Sequence, residues 1–167
     1  MRSAASCSAD TLTCMSVPIR FVRSDDASAW ATLYAGYRSF YQVPDAPEVI
    51  ARTWNWVLNG EHSLLGLVAT NDADVPIGLA NLRWFARPSV ASRGLYIDDL
   101  FTSPEARQRG IGRALLQRAA ELAAAEGASV VRWITAEDNA VARRLYDGVT
   151  TATSWVTYDL APAATSS

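Results

Sequence analysis

Between Asp99 and Arg113 the chain reads Asp-Leu-Phe-Thr-Ser-Pro-Glu-Ala-Arg-Gln-Arg-Gly-Ile-Gly-Arg. An apolar stretch gives way to a Ser-Pro turn and two glycines, so that Arg107, Gly110 and Gly112 form an R-x-x-G-x-G pattern where a helix should begin. Glycines there let the backbone come close to a ligand, and the exposed N–H groups of a helix start attract an anion. A pyrophosphate suits that position. Two other phosphate sites are disfavoured by what is missing. No Lys-Ser or Lys-Thr follows the second glycine as a P-loop requires, and there is no G-x-G-x-x-G dinucleotide fingerprint. Arg107, Gln108, Arg109 and Arg113 flank the turn, either as charge-assisted partners of phosphate oxygens or as solvated surface groups.

Just upstream, Asp98 and Asp99 stand in the middle of an otherwise apolar run, Leu95 to Phe101, where a strand has little use for two carboxylates. One of them is a candidate proton acceptor, and the other reading is a buried, hydrogen-bonded strand carboxylate. Adjacent strand residues alternate in direction, so a single carboxylate is expected to face a substrate. The only thiols, Cys7 and Cys14, precede the folded region, which leaves no metal-binding cysteine set and no candidate for a covalent thioester. His62 is the lone histidine, follows Gly60-Glu61 in a turn, and receives no role.

The elements that must hold these groups are legible from periodicity and punctuation. Ile19 to Arg23 predicts a first strand, closed by a Ser24-Asp25-Asp26 cluster able to cap a helix. Trp30, Leu33, Tyr34, Tyr37 and Tyr41 recur near helical spacing, and Pro44 and Pro47 interrupt the run before a second helix ending near Asn59-Gly60. Leu64 to Ala69 and Ile77 to Phe85 read as an antiparallel hairpin, followed by a loop over Ala86 to Arg93 and the Leu95 to Phe101 strand. Ile111 to Glu126 is the clearest helix, with Gly127 placed for a left-handed cap. Val130 to Ile134 predicts a buried strand, Asn139 to Asp147 a short helix, and Trp155 to Leu160 a last strand. The order β-α-α-β-β-β-α-β-α-β is an α+β fold, a mixed central sheet flanked by helices, with a crossover helix between the fourth and fifth strands.

Arg107-Gln-Arg-Gly-Ile-Gly112 after an apolar strand resembles the acetyl-CoA signature Q/R-x-x-G-x-G/A of the GNAT N-acetyltransferases. Asn139, Ala142, Leu145 and Tyr146 match that family's second element, an Asn opening a helix with a Leu-Tyr pair further on. The Tyr-Ile-Asp-Asp-Leu strand and the Trp155-Val-Thr-Tyr ending are similar to the Hpa2/Hpa3-like branch, and the polyamine and thialysine acetyltransferases share the acidic strand. The resemblance implies a GNAT domain over residues 17–162, between tails at 1–16, expected to be disordered, and 163–167. It also implies an acetyl group moved from acetyl-CoA, as co-substrate and without a metal, onto a primary amine. Main-chain groups of Leu100, Phe101 and Thr102 would hold the pantetheine arm and the thioester carbonyl. Arg107, Gln108, Arg109, Gly110, Ile111, Gly112 and Arg113 would hold the pyrophosphate, with Asn139 also on the cofactor side. Tyr146 is expected to protonate the leaving thiolate, a phenol and a thiol having similar proton affinities, and otherwise is an anchor. The acidic-strand branch favours Asp98 as the residue that receives the amine's proton, Asp99 making a structural bond. With no thiol in the fold, the amine attacks directly in a ternary complex.

Tyr37, Phe40, Tyr41, Trp54 and Trp56 lie at the elbow where the family builds its variable acceptor pocket, unless they are core aromatics. A small amine, amino acid or polyamine is the expected acceptor. A protein lysine or N-terminus, and a non-catalytic acetyl-CoA-binding sensor, stand as alternatives. The net charge of -2, with 15 basic and 17 acidic residues dispersed along the chain, points away from nucleic acid. No apolar run approaches membrane-spanning length, and a cytoplasmic location is expected. After Gly148 the chain is too short for a final hairpin of the usual kind, so a homodimer or larger homo-oligomer is expected to complete the acceptor side.

Overall fold

The computed structural model describes residues 17–163, and the expected N-terminal tail lies outside them. The chain divides into two compact units, the first ending at Ile134 and the second beginning at Thr135. In the first unit, β1 (Ile19–Phe21) and a 3-10 turn at Ser24–Asp26 precede α1 (Ala27–Phe40) and α2 (Pro47–Asn59). Then come β2 (Leu64–Thr70), β3 (Pro76–Arg87), β4 (Ser92–Thr102), α3 (Ile111–Ala125) and β5 (Val131–Arg132). The second unit carries α4 (Ala140–Asp147).

The five strands lie in chain order, antiparallel from β1 to β4, and α3 carries the chain over to a parallel β5. A parallel neighbour requires such a crossover, whereas antiparallel strands need only turns. Pro47 is the first residue of α2 rather than a break before it, as its fixed φ and missing N–H allow, and Ile50, Trp54 and Val57 then recur at helical spacing on the buried face. Those residues join Trp30, Leu33 and Tyr34 of α1 over Val68 and Leu79 of the sheet. Strand alternation sends Leu67, Ala80 and Leu82 to the opposite side, where α3 contributes Ile111, Leu115 and Ala119.

Gly36 sets how close α1 comes to β4: a Cβ there would sit 2.9 Å from the Phe101 ring. Gly127 takes the left-handed conformation expected after α3, at φ 64. No helix among the described residues is long and apolar enough to cross a membrane.

Two expectations are corrected. The expected strand Val130 to Ile134 shortens to Val131–Arg132, because pairing with β4 ends at Tyr96↔Arg132, just before a bulge in β4. The expected last strand is absent among the described residues. Trp155, Val156, Tyr158 and Leu160 are exposed, from 72% to 96% of their surface. Aromatic and β-branched residues favour a strand only where a neighbour takes their backbone hydrogen bonds, and this segment has no such neighbour among the described residues.

Candidate active site

The bulge falls at Asp98. Asn81 of β3 pairs with Asp99 and the next residue, Leu82, pairs with Ile97, so Asp98 has no residue opposite it. The extra residue cancels the expected alternation of the two carboxylates. Asn81 and Arg83, two residues apart on β3, share one face, the face of Leu79 that packs under α1. Asn81 Nδ2 donates to Asp99 Oδ2 at 2.9 Å, and Arg83 Nε donates to Asp98 Oδ1 at 2.9 Å. Both carboxylates therefore point to the α1 side of the sheet.

Their surroundings differ. Burial raises the Asp99 carboxyl above its ordinary range, and hydrogen bonds from Asn81, which is 1% exposed, and from the Tyr37 hydroxyl partly offset this. Burial, followed by the Asp99 charge, pushes the Tyr37 phenol far above its usual value, so it stays protonated as a donor. Burial also raises Asp98, and Arg83 pulls it back part of the way. Asp98 Oδ2 is enclosed without a hydrogen-bond partner. The rings of Tyr34, Tyr37 and Tyr41 follow one another along α1 at 5.8 and 5.1 Å, leading from the core to this acidic face.

Beyond Tyr96 the outer edge of β4 has no strand partner among the described residues. The bond from Ser103 N–H to Ile77 O, 2.9 Å, fixes the phase of the β3–β4 ladder. Successive residues in an antiparallel ladder turn their main-chain groups alternately toward and away from the neighbour. Phe101 therefore spends its groups on Leu79, whereas Leu100 and Thr102 direct theirs to the open edge. Of the three residues expected to bind through the main chain, Phe101 serves instead by packing, its ring against Gly36 and 5.7 Å beneath the Arg107 guanidinium. Thr102 O accepts from Arg107 Nε at 3.4 Å, which places that arginine at the end of the open edge.

The turn that follows is pinned by buried Ala106 and Ile111 while Arg107, Gln108, Arg109 and Gly110 remain exposed. Gln108 and Gly110 both take positive φ, 63 and 79, and no atom lies within 4 Å of where a Cβ on Gly110 would stand. The first helical bond of α3 runs from Ala114 N–H to Gly110 O, so the N–H groups of Ile111 and Gly112 have no acceptor within the helix. Exposed helix-start donors beside Arg107 and Arg109, with open space at Gly110, give this turn the features that attract an anion.

In the second unit Asn139 caps α4, its Oδ1 accepting from Ala142 N–H at 3.2 Å, a structural part in addition to the cofactor role expected of it. Tyr146 is half-buried in the last turn of α4, and its carbonyl accepts from Val149 and Thr150 N–H, each at 2.9 Å. His62 packs edge-on against Trp56 at 4.7 Å. The sequence reading missed Asn81 and Arg83; an Asn inside an apolar strand was the one local signal. Among the described residues no group of three His, Cys, Asp or Glu side chains is placed to hold a metal.

A parallel β4–β5 pair parts after two residues, with a glycine-rich helix start beside the gap. The Acetyltransferase (GNAT) family model matches residues 30–148, and the chain belongs to this family of acetyl-transferring enzymes. It is 28% identical over 146 residues to the D-amino-acid N-acetyltransferase HPA3 of Saccharomyces cerevisiae, covering 85% of this chain and 89% of that one. It is 32% identical over 130 residues to the uncharacterised N-acetyltransferase YhfO of Bacillus subtilis, covering 77% and 85%. The fold superimposes on a ribosomal-protein-alanine N-acetyltransferase from Brucella melitensis biovar Abortus 2308 with a TM-score of 0.74 at 21% identity, covering 88% and 99%.

Proposed function

We propose that this protein transfers the acetyl group of acetyl-CoA to the primary amine of a small molecule in the cytoplasm, both substrates being bound together. The bulge at Asp98 carries this reading. It sets a carboxylate of raised proton affinity at the start of the unpaired β4 edge, where Leu100 and Thr102 offer main-chain groups. The residues fit acetyl-CoA: Gly110 leaves room for the pyrophosphate, and the donors of Ile111 and Gly112, with Arg107 and Arg109, supply its counter-charge. When bound, acetyl-CoA supplies an activated acetyl thioester.

The chain's own groups then have distinct tasks. Asp98 takes the proton that an ammonium must lose before it attacks, and its raised proton affinity makes it the better base. Asp99, held by Asn81 and Tyr37, keeps the bulge in place. Tyr146 gives a proton to the departing sulfur. The acceptor class draws support from the yeast relative, named for acetylating D-amino acids, whose reacting group is a primary amine. Thiol release from acetyl-CoA across a panel of amino acids, alkyl amines, polyamines and peptides tests the proposal. Acceptor-dependent release with small amines is expected. Release with none of them, or with peptides alone, overturns it.

A further inference from the structure

The partner of Asp98 has donors to spare. Arg83 uses Nε for Asp98 Oδ1, while its two Nη groups meet no acceptor among the described residues, and its side chain is 42% exposed. The guanidinium lies over the Tyr96 ring at 4.5 Å, which fixes its plane. A forked cation with free N–H groups suits a carboxylate, which it can grip through two parallel bonds. Beside it, the enclosed Asp98 Oδ2 lacks a donor, and a buried carboxylate oxygen left unmet is costly.

From this pair we infer that Arg83 is a specificity-determining residue: its Nη groups bind the acceptor's carboxylate while Asp98 receives the acceptor's ammonium, so that the acceptor is an α-amino acid. The inference rests on the acetyl-transfer reading above and narrows its substrate. An acceptor whose opposite charges are separated by a single carbon presents them close enough together to meet both members of a salt bridge made at 2.9 Å. A polyamine would bring a second ammonium against the guanidinium, and like charges at this range repel. An alkyl amine would meet Asp98 and leave the Arg83 Nη groups without an acceptor.

The test uses the full-length protein with acetyl-CoA and three matched acceptor sets: D- and L-phenylalanine, phenylalaninamide, and phenethylamine, with spermidine alongside. The readout is the ratio of kcat/KM for the amino acid to that for the amine lacking the carboxylate. Wild type should favour an amino acid, and R83Q should lower that ratio by about tenfold to a hundredfold, mainly through KM. R83K, which keeps the charge but not the fork, should fall between. An arginine that only supports Asp98 would depress both acceptors alike, and an unchanged ratio overturns the inference, as does a wild-type preference for phenethylamine or spermidine. Should R83Q not fold, competitive inhibition of phenethylamine acetylation by 3-phenylpropionate, weakened in R83K, reads the same contact, and equal inhibition of both proteins counts against it. Absence of thiol release with every amine overturns the acetyl-transfer reading instead, and calorimetric binding of phenylalanine to wild type and R83K then decides the role of Arg83 separately.

Discussion

A carboxylate that must take a proton from an ammonium works best when its own proton affinity lies close to the working pH. Burial moves Asp98 in that direction, and its sign sets a measurable profile. The base acts only when deprotonated, so kcat/KM should rise as the pH passes upward through the raised Asp98 pKa. Asp98→Asn, which retains an acceptor for Arg83, should lower kcat/KM by about a hundredfold to ten-thousandfold and flatten that acidic limb, as pH-rate profiles would show. A limb that persists in Asp98→Asn belongs to another group. Tyr146 makes the complementary prediction. On the proposed mechanism its hydroxyl acts when the sulfur becomes anionic, so Tyr146→Phe should lower kcat at least about tenfold while acetyl-CoA affinity measured by calorimetry changes little. A tyrosine that only anchors α4 would leave kcat close to wild type. Residue types, and the helix-start position of Gly110, were readable locally because they depend on neighbours in sequence. The direction of Asp98 was not, because it depends on one extra residue counted against β3, and Asn81 and Arg83 became visible only through that register.

Elements stay in place through contacts between residues distant in sequence, and the β1 end of the sheet has such a clasp. Arg20 on β1 donates to both carboxylate oxygens of Asp26, at 2.7 and 2.8 Å, and also reaches Asp74 in the β2–β3 turn at 2.8 Å. Asp26 is 3% exposed and accepts in addition from the Arg23 N–H at 2.7 Å, so the cluster expected to cap α1 instead ties the helix start to the strand. Burial alone would raise the Asp26 pKa, yet the hydrogen bonds from Arg20 and Arg23 hold it below its ordinary value. A depressed carboxylate contributes stability above its unfolded pKa of about 3.9 and loses it as the pH falls through the folded value. Asp26→Ala leaves Arg20 with Asp74 as its remaining carboxylate partner and should cost about 3 kcal/mol in urea unfolding at pH 7, with the difference from wild type shrinking below about pH 4. A difference that stays constant into acid would mean that the side chain acts by packing. The α1 and α2 faces were legible because helical periodicity is local. The end of β5 was not, since it is set by where β4 bulges.

At the scale of the whole molecule, a net charge of -2 provides no strong field to steer or repel partners, so association must come from surface shape and apolar area. Trp155 to Leu160 presents such area. In an extended backbone Val156, Tyr158 and Leu160 fall on one side, all exposed, and none of the described residues pairs with their main chain. A segment with this alternation reads from sequence as a strand because its propensity is real, and what a sequence cannot show is which strand takes its backbone bonds. We propose a second copy of the chain as that partner, the two segments pairing antiparallel across a two-fold axis, so that N–H groups of one strand meet C=O groups of the other and the assembly closes at two chains. Two strands alone are marginal in water, so burial of Tyr158 and Leu160 against the mate must supply much of the stability. Light scattering at micromolar concentration should give twice the mass of one chain. Tyr158→Glu, which sets two carboxylates near the axis in a dimer, should shift the protein to monomer without lowering its thermal midpoint by more than a few degrees. A monodisperse monomer for wild type, or a Tyr158→Glu variant that stays dimeric, would show that the segment is not the interface.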